Sequence, residues 1–249
     1  MNICVMRYYL MKCIAEKISP TQAEEQALKA VDHELEKDSV SVISFINAHA
    51  YTMANNNSKF RDCLLDASIL FRDGIGAKIL LKKYGKPVGY NANGTDLIPL
   101  ILDRFKGKSV CFIGTESPYI EQAASIYKSN GHNVEAFIDG FQSNEKMFEF
   151  VEEYKPEILI LGMGMPKQEY FSDYLQRNYN KPLVVVNGGA IFDFIANRFT
   201  RAPSIFRKLS LEWLYRLMNE PIRLFNRYAI GIPKFFWILR KNMKQERLG

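Results

Sequence analysis

The spacing of apolar residues divides the chain into two regimes. Over residues 40–189, short runs that are apolar throughout alternate with segments whose apolar residues recur every three or four positions. VSVISFIN (40–47), SILF (68–71), KSVCFIG (108–114), NVEAFIDG (133–140), PEILILGMG (156–164) and KPLVVVNGG (181–189) have strand length and are rich in Val, Ile, Leu and Phe. Helical spacing precedes or separates them over 20–38, 58–66, 76–84, 95–105, 117–131, 144–154 and 166–178. Thr21 is placed to cap the first of these ahead of Glu24 and Glu25. Pro166 falls in the first turn of the last, where a missing N–H costs little. Strands without a polar face must be covered on both sides. The pattern therefore predicts an α/β fold: a doubly wound parallel sheet with helices on both faces.

After Asn197 the strands stop. LEWLYRLMNEPIRLFNRYAIGIPKFFWILRKN (211–242) reads as helices punctuated by Pro221, Gly231 and Pro233. This predicts a core over 1–197 and a helical appendage over 198–249. Charge sharpens the division. Residues 198–249 hold 12 Lys+Arg against 3 Asp+Glu, a balance of +9, whereas the rest holds 21 against 24, a balance of −3. The whole positive excess thus lies in one aromatic-rich tail, which suits a polyanion: nucleic acid, anionic lipid or a diphosphate. FFWIL (235–239), flanked by Lys234, Arg240, Lys241 and Lys244, fits either an interfacial helix or docking onto the core.

No apolar run approaches the ~20 residues that span a bilayer. The N-terminal stretch, broken by Arg7 and Lys12, lacks a leader pattern, so a cytoplasmic location is expected. Cys4, Cys13, Cys63 and Cys111 form no CxxC pair and read as reduced thiols. His33, His49 and His132 lie in unrelated segments, and there is no DxD pair at a strand end, so no metal is expected.

In a doubly wound sheet, ligands bind beyond the carboxyl ends of the strands. The chemistry-bearing residues cluster there: Asn47, Asp73 in RDGIG, GTESP, GMGMPKQE and NGGAIFDF. Asp73 is a candidate general base, in competition with an ordinary Asp-Gly turn. Gly162 and Gly164 allow close backbone approach ahead of a helix N-terminus, with Lys167 and Gln168 as donors at the mouth. A solvated helix cap is the alternative reading of that segment. GMGMPK is neither a Walker loop nor a dinucleotide fingerprint. After Gly188 and Gly189, Phe192 and Asp193 offer an aromatic face and a carboxylate to a uracil ring and a sugar hydroxyl. The alternative there makes Phe192 and Phe194 core and pairs Asp193 with Arg198 or Arg201. Arg223 and Arg227 share a helix face, and Arg216 would join them if Pro221 left the register unbroken. Arginines suit bidentate phosphate contacts.

INA (46–48), DGIG (73–76), NGTDL (93–97), FIG (112–114), GMGMPKQE (162–169), NGGAIFDF (187–194), RAP (201–203) and LEWLYRLMNEPIRLFNRY (211–228) together resemble the WecG/TagA/CpsF family of bacterial glycosyltransferases. The resemblance implies a Rossmann-like core and an inverting transfer needing neither metal nor cofactor. It implies a UDP-sugar donor (UDP-N-acetylmannosamine, its uronic acid, or UDP-glucose). It also implies an undecaprenyl-diphosphate-linked saccharide acceptor, in teichoic acid, enterobacterial common antigen or exopolysaccharide synthesis. It assigns the base to Asp73. The donor pocket falls to Asn47, Gln168, Lys167, Phe192, Asp193 and the turns carrying Gly94, Thr95, Asp96, Gly114, Gly162, Gly164, Gly188 and Gly189. The acceptor diphosphate falls to Arg201, Arg216, Arg223 and Arg227. The appendage would bring the enzyme to the anionic inner face of the membrane and offers a surface for self-association.

The chain departs from the family pattern at four places. Phe45 replaces a small or hydroxyl residue, and Arg72 a small residue beside the base, where a touching cation would lower the carboxylate pKa. Asn197 replaces glycine, and Asn226 stands where arginine is frequent. A non-catalytic nucleotide- or nucleic-acid-binding protein is the competing reading. No nucleic-acid module is present, so no nucleic-acid partner is expected.

Overall fold

The alternating pattern is realised as β1 (Val40–Ile46), β2 (Ile69–Arg72), β3 (Val110–Gly114), β4 (Val134–Asp139), β5 (Ile158–Leu161) and β6 (Leu183–Asn187). They pair in the order β2-β1-β6-β5-β3-β4, every neighbouring pair parallel. The structure, a computed structural model, describes residues 11–208 and 211–246 of the chain. Cys4, the stretch read for a leader before residue 11, and the side chain of Lys244 lie outside the described residues. The core helices are α1 (Glu24–Leu35), α2 (Ala48–Asn56), α3 (Ser58–Asp66), α4 (Gly74–Lys83), α5 (Gly94–Arg104), α6 (Tyr119–Ser129), α7 (Asn144–Tyr154), α8 (Lys167–Asn178) and α9 (Ile191–Ile195).

Successive strand residues point to opposite faces, and here both faces are buried. Ile43, Phe45, Phe71, Phe112, Ile160 and Val186 face a layer built from α1, α5, α6 and α9. Val42, Ile113, Leu161 and Val185 face α7 and α8. Ile46 and Leu70 face α2, α3 and α4. Two local expectations change. Thr21 does not cap α1; the N-cap is Ala23, without a side-chain bond, and the Thr21 carbonyl instead accepts from Tyr90 N at 2.8 Å. Pro166 is the N-cap of α8, one position before its first turn. Between β1 and α3, residues 48–56 add helix α2, begun by the Asn47 side chain accepting from Ala50 N. Asn197, where glycine is usual, has φ +56, the left-handed region that Asn tolerates best among residues with a Cβ. Cys13, Cys63 and Cys111 are free thiols.

Beyond Asn197 come α10 (Ser204–Lys208), α11 (Glu212–Asn219), α12 (Pro221–Phe225), a π-helical turn (Asn226–Ile230) and α13 (Gly231–Glu246). Pro221 opens α12, where proline fits. Neither Gly231 nor Pro233 breaks the chain's course; both fall in the first turn of α13. Phe235, Ile238, Leu239 and Asn242, at helical spacing, are buried. Phe235, Ile238 and Leu239 enter the cluster with α2, α3 and α4, and Asn242 Nδ2 donates to Tyr51 Oη at 3.2 Å. The opposite face leaves Phe236 and Trp237 exposed beside Arg240 and Lys241. FFWIL thus docks with one face and remains open on the other.

Phe235 is the largest of these anchors, in T-shaped contact with Tyr51 at 5.7 Å between ring centroids. Phe235→Ala should cost about 3–5 kcal/mol, the usual range for emptying a buried aromatic site. Denaturant unfolding of the variant beside the parent measures this, and a loss below 1 kcal/mol would mean that α13 is not anchored there.

Candidate active site

Because all six strands run the same way, their carboxyl ends open on one edge, and the chain turns there six times. Asn47 follows β1 and Asp73 follows β2, adjacent strands paired Ile46 to Arg72. Asn47 Nδ2 donates to Asp73 Oδ2 at 3.2 Å, while Asn47 Oδ1 caps α2, so one side chain both starts the helix and orients the carboxylate. Gly74 carries the chain away at φ +75, a conformation that costs glycine least, and its N–H donates to Asn91 Oδ1 at 2.8 Å. Arg72 does not sit on the carboxylate. Its guanidinium turns back to the carbonyls of Tyr90, Gly74 and Gly89 and ties down the loop after α4. Burial pushes the Asp73 carboxyl above the ordinary carboxylate range, against the Asn47 hydrogen bond and the charges of Arg227, Arg216 and Arg72.

The glycine turns are crowded for two different reasons. A Cβ on Gly114 or on Gly162 would lie 2.3 Å from the Phe192 ring, which is only 1% exposed. Phe192 is therefore the floor beneath these turns and packs on Phe112; it faces neither cavity, contrary to the sequence expectation of a uracil contact. Gln168 is also buried. Its Oε1 accepts from Gly164 N at 3.1 Å and from Gly189 N at 2.9 Å, so it stitches the two glycine turns together instead of standing at the mouth. Its Nε2 donates to Glu169 Oε1 at 2.8 Å. Lys167 does stand at the mouth, its Nζ 5.9 Å from the ring centroid of Phe141. Asp193 accepts from Thr115 Oγ1 at 2.8 Å and pairs with Arg198.

Two adjoining cavities, about 530 and 380 Å³, share Asn47, His49, Asp73, Thr95, Arg216 and Arg227. The smaller is lined by the glycine turns, including Gly94, Gly114, Gly162, Gly164, Gly188 and Gly189, with Phe45, Lys167, Gln168 and Asp193. The larger lies between the core and the appendage, with Asn91, Asn93, Ile75 and Ile79 on one side and Glu212, Trp213, Tyr228, Ile232 and Phe236 on the other. Asp73 stands at the junction.

The predicted arginines separate into three situations. Arg216 and Arg227 face both cavities, and their Nε atoms are buried without a hydrogen-bond partner among the described residues. Burial pushes Arg227 below its ordinary pKa, with Asp73 and Tyr228 opposing and Arg216 adding to the fall. Arg223 stays at the rim of the smaller cavity, paired to Glu220 and stacked over Phe199. Arg201 is paired with Asp96, and neither lines the two cavities. Asp96 is held further by Asn93 Nδ2 at 2.6 Å.

Several residues here escape sequence reasoning. His49, in the first turn of α2, was set aside for lack of metal spacing; burial and then the Arg227 charge hold its pKa down at about 4, so it is neutral at pH 7. Phe141 projects 72% exposed at the rim of the smaller cavity. Glu212 could have been found from its spacing, four residues before Arg216 on one helix.

The sequence profile of the glycosyl transferase WecG/TagA/CpsF family matches residues 11–248. The chain is also similar to a Bacillus spizizenii protein named N-acetylglucosaminyldiphosphoundecaprenol N-acetyl-beta-D-mannosaminyltransferase. The two are 29% identical over 194 residues, covering 76% of this chain and 74% of the relative.

Next to Gln168, Glu169 is 2% exposed, and its Oε2 has no hydrogen-bond partner among the described residues. Burial raises its pKa to about 7, partly offset by the Gln168 hydrogen bond. The folded state therefore holds this proton where the unfolded chain has lost it. Glu169 withdraws stability as pH rises from about 4.5 to about 7, and the loss is complete above that. Glu169→Gln should remove this slope and gain on the order of 3 kcal/mol at pH 8 relative to pH 4. Thermal midpoints of both proteins across that range test it; parallel curves would refute the assignment.

Proposed function

Because the chain belongs to the WecG/TagA/CpsF family of glycosyltransferases, we propose that it transfers a sugar, N-acetylmannosamine-like, from a UDP-sugar to an undecaprenyl-diphosphate-linked saccharide. The observation that carries this reading is Asp73 at the junction of the two cavities, beneath Arg216 and Arg227. The smaller cavity is assigned to the donor. Its glycine turns leave no Cβ in the way of a ligand, and α8 opens beside it, so a helix N-terminus meets the UDP diphosphate. The larger is assigned to the acceptor, whose isoprenoid is suited by Ile75, Ile79, Ile232 and Phe236. The Bacillus relative is named for a diphosphoundecaprenol-linked acceptor and for the N-acetylmannosaminyl group transferred, which supports the acceptor class and the sugar.

In this mechanism Asp73 takes the proton of the acceptor hydroxyl as that oxygen attacks the anomeric carbon. The bond from that carbon to the β-phosphate oxygen breaks, UDP departs, and the configuration inverts. A raised carboxyl pKa makes Asp73 a stronger base than a solvated aspartate. Arg216 and Arg227 supply positive charge at the junction, where it stabilises the leaving diphosphate and attracts that of the acceptor. The exposed Ile222 and Phe225 of α12 and Phe236 and Trp237 of α13, with Arg240 and Lys241, are the apolar and basic residues assigned to an anionic membrane surface. No described helix is long and apolar enough to cross a membrane.

Asp73→Asn should lower transfer by roughly 10²–10⁴-fold while leaving donor affinity within twofold, since only proton removal is lost. UDP release with a prenyl-diphosphate saccharide, and donor titration, measure the two; near-normal turnover would exclude Asp73 as the base. Replacing Ile222 and Trp237 together by Ser should weaken binding to phosphatidylglycerol vesicles by tenfold or more, given about 1.5–3 kcal/mol per buried large apolar side chain. Unchanged vesicle sedimentation would remove these residues from the membrane contact.

A further inference from the structure

Helix α11 brings a second carboxylate to the larger cavity. Glu212 and Arg216 are four residues apart and share the face that lines it. Glu212 is half-buried there, and its carboxylate has neither an ion pair nor a hydrogen bond among the described residues. Burial, and then the Asp73 charge, push its pKa up against the nearby Arg216 and Arg201. An acid in this position works against the cavity's evident task. It repels a diphosphate, has nothing to offer an isoprenoid, and crowds the base. The ligand parts that gain from it are those carrying O–H or N–H donors. In a lipid-diphosphate saccharide those belong to the sugar, which must in any case lie within reach of Asp73. Beside Glu212, the Trp213 and Tyr228 rings pack with centroids 6.0 Å apart and line the same cavity. Aromatic faces of this kind suit the C–H face of a sugar ring.

We infer that Glu212 grips the acceptor's terminal sugar, accepting hydrogen bonds from its non-reacting hydroxyl or amide groups, with Trp213 and Tyr228 bounding the ring. The appendage then supplies sugar recognition as well as positive charge. This rests on the lipid-diphosphate reading above.

The test uses the full-length protein, a UDP-sugar donor, a short-chain prenyl-diphosphate N-acetylglucosamine acceptor, and analogues in which each non-reacting hydroxyl is singly replaced by hydrogen. A site built to bond a hydroxyl rejects the analogue lacking it. Wild type should disfavour at least one analogue by about tenfold or more. Glu212→Ala should raise the parent acceptor's KM about tenfold, leave the donor's KM unchanged, and bring that preference down to nearly one. Glu212→Gln, which keeps the side chain's shape, should move KM and preference in the same direction and serves if the alanine variant is unfolded. Preserved discrimination in the variants, or a donor KM that rises in step, would overturn the inference while turnover by wild type upholds the transferase reading. No UDP release by wild type with any prenyl-diphosphate saccharide would overturn both.

Discussion

Helix α13 lays Phe235, Ile238 and Leu239 against α2, and α2 begins at Asn47, whose amide holds Asp73. These contacts form one mechanical chain from the C-terminal helix to the reacting edge of the sheet. Upstream of α13, the π-helical turn carries Arg227 over the same carboxylate. Turns of this type, wider than an α-helical turn, are frequent at functional sites. Without the apolar docking, the sheet edge would keep its glycine turns and its carboxylate. It would lose the wall that closes the larger cavity and the guanidiniums that balance the charge.

Burial wins that balance. A carboxylate at the junction is raised by burial and lowered by three arginines and an asparagine amide, and the net effect is upward. Had Arg72 folded onto Asp73, as adjacency in the sequence invites, the carboxyl pKa would fall. Three backbone carbonyls draw that guanidinium away. Two of these carbonyls, those of Tyr90 and Gly89, belong to the loop that lends Asn91 and Asn93 to the cavity, so one arginine both leaves Asp73 uncovered and shapes its surroundings.

The sheet, its parallel sense and the residues at its carboxyl edge were legible from the sequence because strand period, helix period and strand-end chemistry all agree. What was not legible depends on direction. Phe192 and Phe194 are two apart on a short helix; the first fills the space under Gly114 and Gly162, and the second lines the smaller cavity opposite Arg216. Nothing in FDF tells which ring turns inward. Gln168 looks like a free donor beside Lys167, yet it is buried between two turns that are 25 residues apart in sequence, Gly164 and Gly189. Arg201 and Asp96 were both read as ligand contacts, and each has the other for a partner. In the appendage, the breaks at Pro221 and the π turn set which arginines converge, and neither break has a register that spacing alone supplies.

Helix α13 also acts as a spacer. One face is fixed to the core and the opposite face, with Phe236 and Trp237, is the one assigned to lipid. An α-helix with its side chains is about 10–12 Å across. Were that face to lie on lipid, the junction that holds Asp73 would stand roughly one helix thickness above the lipid surface, on the order of 10 Å. A diphosphate and its first sugar cover that height, and each added sugar carries the reactive end farther past it. The thickness of a single helix would then work as a ruler, favouring acceptors at the start of chain assembly over those already extended.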